Sequence, residues 1–135
     1  VAACLDDPAP SVRVLAARSL PRTTPHEAAA TLLAQVTSRD FHRRDGAEID
    51  AFFEALAEVA DDTTIRGLNY LWSDRPTLRS RPTAIRLGAL KVAGKTASPA
   101  AREMLARATR SGDAEVRRQA KRILEEAERT AGGRR

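Results

Sequence analysis

The stretch from residue 7 to residue 20, DPAPSVRVLAARSL, returns in altered form at residues 111 to 124 as SGDAEVRRQAKRIL. Each time, a short turn carrying Asp or Pro leads into a run that opens with valine and arginine. A surface helix buries residues at i, i+3, i+4, i+7 and i+8. Counted from Val12, these offsets give Leu15, Ala16, Ser19 and Leu20; from Val116 they give Gln119, Ala120, Ile123 and Leu124. Ile49 heads a third set with Phe52, Phe53, Leu56 and Ala57, and Ile85 a fourth with Gly88, Ala89, Val92 and Ala93. The four heads are separated by 37, 36 and 31 residues. Matching amphipathic helices at near-constant spacing point to stacked helix pairs, in which each layer leaves an apolar face for the next to cover.

The segments between these helices supply partners. TTPHEAAATLLAQV has Thr24 as an N-cap, Pro25 at the first helical position and Glu27 placed for a capping box, with Ala29, Leu32, Leu33 and Val36 as its apolar set. DTTIRGLNYLW offers Ile65, Leu68 and Trp72, while SPAAREMLARA opens on Ser98 and Pro99 and presents Ala101, Met104, Leu105 and Ala108. Asp45 with Glu48 three residues on reads as another capping box. Small residues at Gly88, Ala89 and Ala93 allow a neighbouring helix to approach closely, and Phe52, Phe53 and Leu56 fill wider gaps. No stretch alternates with period two, so strands are not expected.

Composition agrees with an all-α chain. Of 135 residues, 26 are alanine, and arginine outnumbers lysine 20 to 3; both alanine and arginine have high intrinsic helix propensity. No run reaches the roughly 18 apolar residues of a membrane span. The chain opens at VAACLDD, read here as a cut through a helix, which makes it the C-terminal piece of a longer protein. Cys4, the only cysteine, excludes an internal disulfide and suits a cytoplasmic setting. In its apolar run it is expected in the core. The net charge of +5 is uneven: residues 1–60 carry −3 and residues 61–135 carry +8.

At the Val-Arg positions the chain resembles the HEAT-repeat family in its short bacterial form. DPAPSVRVLAARSL, TAIRLGALKVAGK and GDAEVRRQAKRIL are each similar to the second helix of that repeat. The resemblance implies a right-handed α-solenoid of antiparallel helix pairs, about three and a half repeats long. Residues 1–130 would form the N-terminally truncated repeat domain and residues 131–135 a flexible basic tail. It further implies that Arg13 pairs with Asp6 or Asp7, and Arg117 with Asp113 or another nearby carboxylate. The second repeat departs from the pattern, with Asp50 where the others have Arg13, Arg86 and Arg117. Gln119 gives the last helix a more polar face, as suits a terminal cap.

Chemistry is sparsely provided for. Two histidines and one cysteine stand in unrelated contexts without zinc-ligand spacing, and no phosphate-cradling glycine loop occurs. Neither an enzymatic activity nor a cofactor is expected. The expected function is a protein-interaction scaffold, with a nucleic-acid-binding module built on the basic half as the alternative. A glycosylase-like or lyase-like enzyme, suggested by Trp72 and Asp74 near arginines, is the remote one. Six residues after each head lie Arg18, Ala55, Lys91 and Arg122, with Arg118 and Lys121 beside the last. These would line a positive stripe for an acidic protein partner or a phosphate backbone. Two interrupting segments add candidates: Arg43 and Arg44 beside Phe41 and His42, and Arg75, Arg79 and Arg81 in WSDRPTLRSRP. In the first, Phe41 can plug an interhelix corner while the arginines face water.

Overall fold

The computed structural model describes residues 2–69, 82–96 and 98–132. The helices are α1 (Pro10–Thr23), α2 (Pro25–Val36), α3 (Gly46–Val59), α4 (Asp62–Leu68), α5 (Thr83–Thr96), α6 (Pro99–Ala108) and α7 (Ala114–Gly132). Short 3-10 turns at Ala2–Asp6 and Phe41–Arg43 precede α1 and α3. Among the described residues there is no strand. The chain is all-α.

Val12, Ile49, Ile85 and Val116 each sit in the first turn of α1, α3, α5 and α7 respectively. These four helices form a series: α1 packs on α3, α3 on α5, and α5 on α7. The remaining helices pack alongside, α2 against α1 and α3, α4 against α2, α5 and α6, and α6 against α5 and α7. One continuous apolar cluster runs through all of them, from Leu5 and Leu20 through Leu32, Phe53 and Ile65 to Leu105 and Ala120. Ile49, Ile85 and Val116 are buried, whereas Val12, at the start of the series, is half-buried.

Caps fix where the helices begin. The Ser98 hydroxyl accepts the Ala101 N–H at 3.1 Å, as its position before Pro99 predicts. Thr24 and Asp45 also occupy N-cap positions, but neither side chain makes a capping bond, so the two expected boxes do not form. A complete box stands instead at α4, where Asp61 accepts from the Thr64 N–H and the Thr64 hydroxyl accepts the Asp61 N–H. The Thr64 backbone N–H, and after it the Thr64 hydroxyl donating to the same carboxylate oxygen, hold the Asp61 carboxyl below its ordinary range. Seven residues make a marginal helix, so a closed cap matters more here than elsewhere.

Glycines mark three helix contacts. A Cβ on Gly67 would meet the Leu33 side chain across the α2–α4 contact, and one on Gly94 would meet Ile123 across α5–α7. At Gly88 a Cβ would overlap the Phe53 ring, so α5 lies on α3 at a distance only glycine permits. Phe53 in turn meets Phe41 edge-on, centroids 5.9 Å apart, and Phe41 meets Phe52 at 5.4 Å. All three rings are buried; each contributes about 1.5–3 kcal/mol by leaving water.

Two expectations about the faces are corrected. Leu15 is 67% exposed, because α1 buries Ala16, Ala17 and Leu20 instead. Its inward face is turned by about one residue from the one predicted. Cys4 is exposed too: Ala2–Asp6 forms a 3-10 turn and not an α-helix, and it points Leu5 rather than Cys4 into the core. The close approach at Gly88 sets a mutational test. Gly88→Ala should lower the unfolding free energy by about 1–3 kcal/mol through overpacking, despite the better helix propensity of alanine. Gly46→Ala, where a Cβ meets open space, should be neutral or slightly stabilising in the same urea titration.

Candidate interaction surface

Glu48 is the most buried charge among the described residues, 2% exposed in the first turn of α3. Arg13 of α1 reaches it through two bonds, Nε to Oε2 at 2.7 Å and Nη2 to Oε1 at 2.8 Å. Arg44 approaches from the turn before α3, its Nη1 3.1 Å from Oε2. The Arg44 guanidinium lies 5.2 Å from the Phe41 centroid and 5.0 Å from that of Phe52, and its Nη2 donates to Gln35 Oε1 of α2. The carboxylate thus joins α1, α3 and the connecting turn, and Arg44 extends the cluster to α2. The Arg13 bonds, reinforced by both positive charges, hold the Glu48 carboxyl below its ordinary value of 4.5 against the opposing effect of burial.

The partner expected for Arg13 was a carboxylate of its own turn. Its carboxylate is Glu48 of the next helix in the series, and the turn supplies backbone carbonyls: Arg13 Nη1 donates to Asp7 O at 2.8 Å and Pro8 O at 3.0 Å. Arg117 does likewise, donating to Ser111 O at 2.7 Å rather than pairing with Asp113. The correspondence extends to the turns. Asp7 Oδ1 accepts the N–H of Ala9, and Ser111 Oγ accepts the N–H of Asp113, each two residues on. Asp113 instead accepts from the Thr83 hydroxyl of α5 at 2.7 Å, which chiefly holds its carboxyl low, with the charge of Arg86 acting in the same direction.

A groove runs between α1 and α3, as two adjoining hollows of about 430 and 450 Å³ that share Leu15 and Arg18. One is closed by the C-terminal halves of both helices, with Arg18 and Arg22 opposite Glu54 and Glu58 over Ala55. The other lies between their N-terminal halves, with Val14 opposite Ala47 and Asp45. The two helices therefore run parallel. Arg18, Arg22, Glu54 and Glu58 are all exposed, and neither arginine forms an ion pair with either glutamate.

The other residues singled out by sequence are dispersed. Lys91 on α5 and Lys121 on α7 are exposed. Arg118 pairs with Glu115 at 3.0 Å and Arg122 with Glu126 at 3.3 Å, each along α7 itself. Arg43 is exposed, 3.8 Å from Asp40. Phe41 fills the corner as expected, but Arg44 does not face water: it belongs to the buried cluster. Arg75, Arg79, Arg81, Trp72 and Asp74 lie outside the described residues. The stripe expected along α1, α5 and α7 is interrupted by more than a neutral Ala55, which is buried on the groove floor. Asp50, Glu54 and Glu58 form an exposed acidic row along α3. That row was legible as an i, i+4, i+8 spacing. Glu48 carried a weaker signal, a carboxylate one residue before a buried head.

Among the described residues no group of three or more His, Cys, Asp or Glu is placed to hold a metal ion, and no helix is long and apolar enough to cross a membrane. No protein-family model, curated protein or solved structure matches the chain.

The buried cluster should dominate single-site stability. Glu48→Ala leaves two part-buried arginines facing each other and should cost about 3–5 kcal/mol in chemical unfolding. The pH dependence has a definite sign. A carboxyl held low in the folded state adds stability above its unfolded value of 4.5, and this is lost as pH falls through the lower folded value. The stability lost on acidifying from neutrality to below that window should therefore be smaller in Glu48→Gln than in the wild type, as measured by urea titrations at each pH.

Proposed function

We propose that the chain is a segment of a HEAT-like, right-handed α-solenoid that serves as a non-enzymatic scaffold binding a protein partner. The arrangement corresponds to a half repeat, α1, followed by the pairs α2–α3, α4–α5 and α6–α7. Two observations support it: the α1–α3–α5–α7 series with its companion helices, and the matching arginine-to-turn bonds of Arg13 and Arg117. A cytoplasmic, bacterial setting accords with the same reading.

The observation that carries the binding role is the α1–α3 groove. A leucine 67% exposed at its centre is the one large hydrophobic side chain left in water among the described residues. Around it stand Arg18, Arg22, Glu54 and Glu58, charges of both signs that form no ion pair within the described residues. An apolar anchor ringed by polar groups is the anatomy of a protein-binding site.

Nucleic acid is the second reading, favoured by exposed Lys91 and Lys121 on adjacent α5 and α7. Against it, the acidic row of α3 would repel a phosphate backbone, and Arg118 and Arg122 already face carboxylates. The two readings separate in one set of measurements. The immobilised chain should retain a protein partner and lose it on Leu15→Glu, an exposed change the fold tolerates. Mobility shifts with duplex DNA should show no affinity that falls steeply between about 50 and about 200 mM salt. DNA binding abolished by Lys91→Glu with Lys121→Glu would overturn the scaffold reading.

A further inference from the structure

We propose that the α1–α3 groove is self-complementary and that two copies of this chain pair through it. The inference rests on the reading of the groove as a protein-binding surface and specifies its occupant. One wall is cationic, with Arg18 and Arg22 one helical turn apart; the other is anionic, with Glu54 and Glu58 at the same spacing. A turn of four residues rises about 6 Å on either helix, so the two walls carry opposite charges at matched intervals. Both pairs line the same hollow and therefore lie at the same height along the groove.

These charges are unspent. On α7, Arg118 and Arg122 find glutamates on their own helix. Arg18 and Arg22 form no ion pair with Glu54 or Glu58 across their hollow, which Leu15 and Ala55 also line. An acidic peptide or a phosphate backbone would satisfy Arg18 and Arg22 but be repelled by Glu54, Glu58 and Asp50. A basic partner would meet the converse conflict. The occupant must carry both signs, side by side, at a spacing of one turn, with an apolar group between them.

A second copy supplies this arrangement. A two-fold axis in the interface plane and parallel to the groove lays α1 of one protomer along α3 of its partner. Arg18 and Arg22 then face the partner's Glu54 and Glu58, and the reciprocal contact follows by symmetry. Each Leu15 comes to rest against the other protomer's groove, out of water. A contact of two helices a side is small, so the pair belongs to the weak, exchanging class. Its charges are exposed, so association weakens as salt rises.

Sedimentation velocity over a concentration series tests this. The wild type should pass from monomer to dimer with rising concentration, and Leu15→Glu should remain monomeric. Two charge variants carry the decisive arm: Arg18→Glu with Arg22→Glu makes both walls acidic, and Glu54→Arg with Glu58→Arg makes both basic. Each alone should dimerise at least about tenfold more weakly than the wild type, through like-charge contact. Mixed in equal amounts, they should associate with each other. Circular dichroism melts establish that each variant is folded. A wild type monomeric throughout, or folded variants that fail to pair on mixing, would overturn the proposal. A monomer that retains a different protein through Leu15 overturns it too, while leaving the scaffold reading intact. A charge-dependent dimer that retains no other protein supports the pairing and removes the scaffold reading.

Discussion

A carboxylate taken out of water must be met by cations or be protonated, and the first half of this chain is arranged around that requirement. Glu48 is met by both Arg13 and Arg44. Its two cations come from different elements, so the charge cluster cannot form until α1, α3 and the intervening turn are in place together. Such a cluster does little to raise stability over an apolar equivalent. It does penalise alternatives: a rotation of α3 that brought another face inward would leave a buried carboxylate without partners. The aromatic corner depends on it as well, since the Arg44 guanidinium lies against both Phe41 and Phe52.

The recurring arginine acquires a physical reason from its bonds. In α1 and α7 it folds back six residues to donate to a carbonyl of the preceding turn, which ties the turn to the helix it leads into. In α3, where Asp50 replaces the arginine, Asp50 is exposed and Arg44 comes forward from the turn. Between α5 and the turn before α7, Thr83 and Asp113 form a further tie between successive helices of the series.

Helix content and the four first-turn heads were legible because periodicity reports burial over several turns at once. The Ser98 cap was legible because Pro99 and the following apolar set locate the helix start. Leu15 was misplaced for a specific reason. Hydrophobicity ranks leucine above alanine, but α1 packs closely on its neighbours through Ala16 and Ala17, and a leucine at that contact would hold the helices apart. The partner of Arg13 was equally hidden. Sequence proximity favoured Asp6 and Asp7, and the choice of Glu48, 35 residues away, depends on which helix lies alongside. Glu48 was assigned to a capping box by local spacing alone; a long-range ion pair outweighed a local bond.

The candidate surface shows the same limit at larger scale. Counting charges along the chain suggests a basic C-terminal half, and that half does expose Lys91, Lys95 and Lys121. Side-by-side packing reorders the charges by helix instead of by position. The exposed rows read positive on α1 and negative on α3, then positive on α5, with both signs on α7. A polyanion laid across such a surface gains at one helix what it loses at the next, whereas a second copy turned about the groove gains at both α1 and α3. Coulomb attraction between exposed pairs is weak, so the alternation sets partner and register, and the free energy of association must come from covering Leu15.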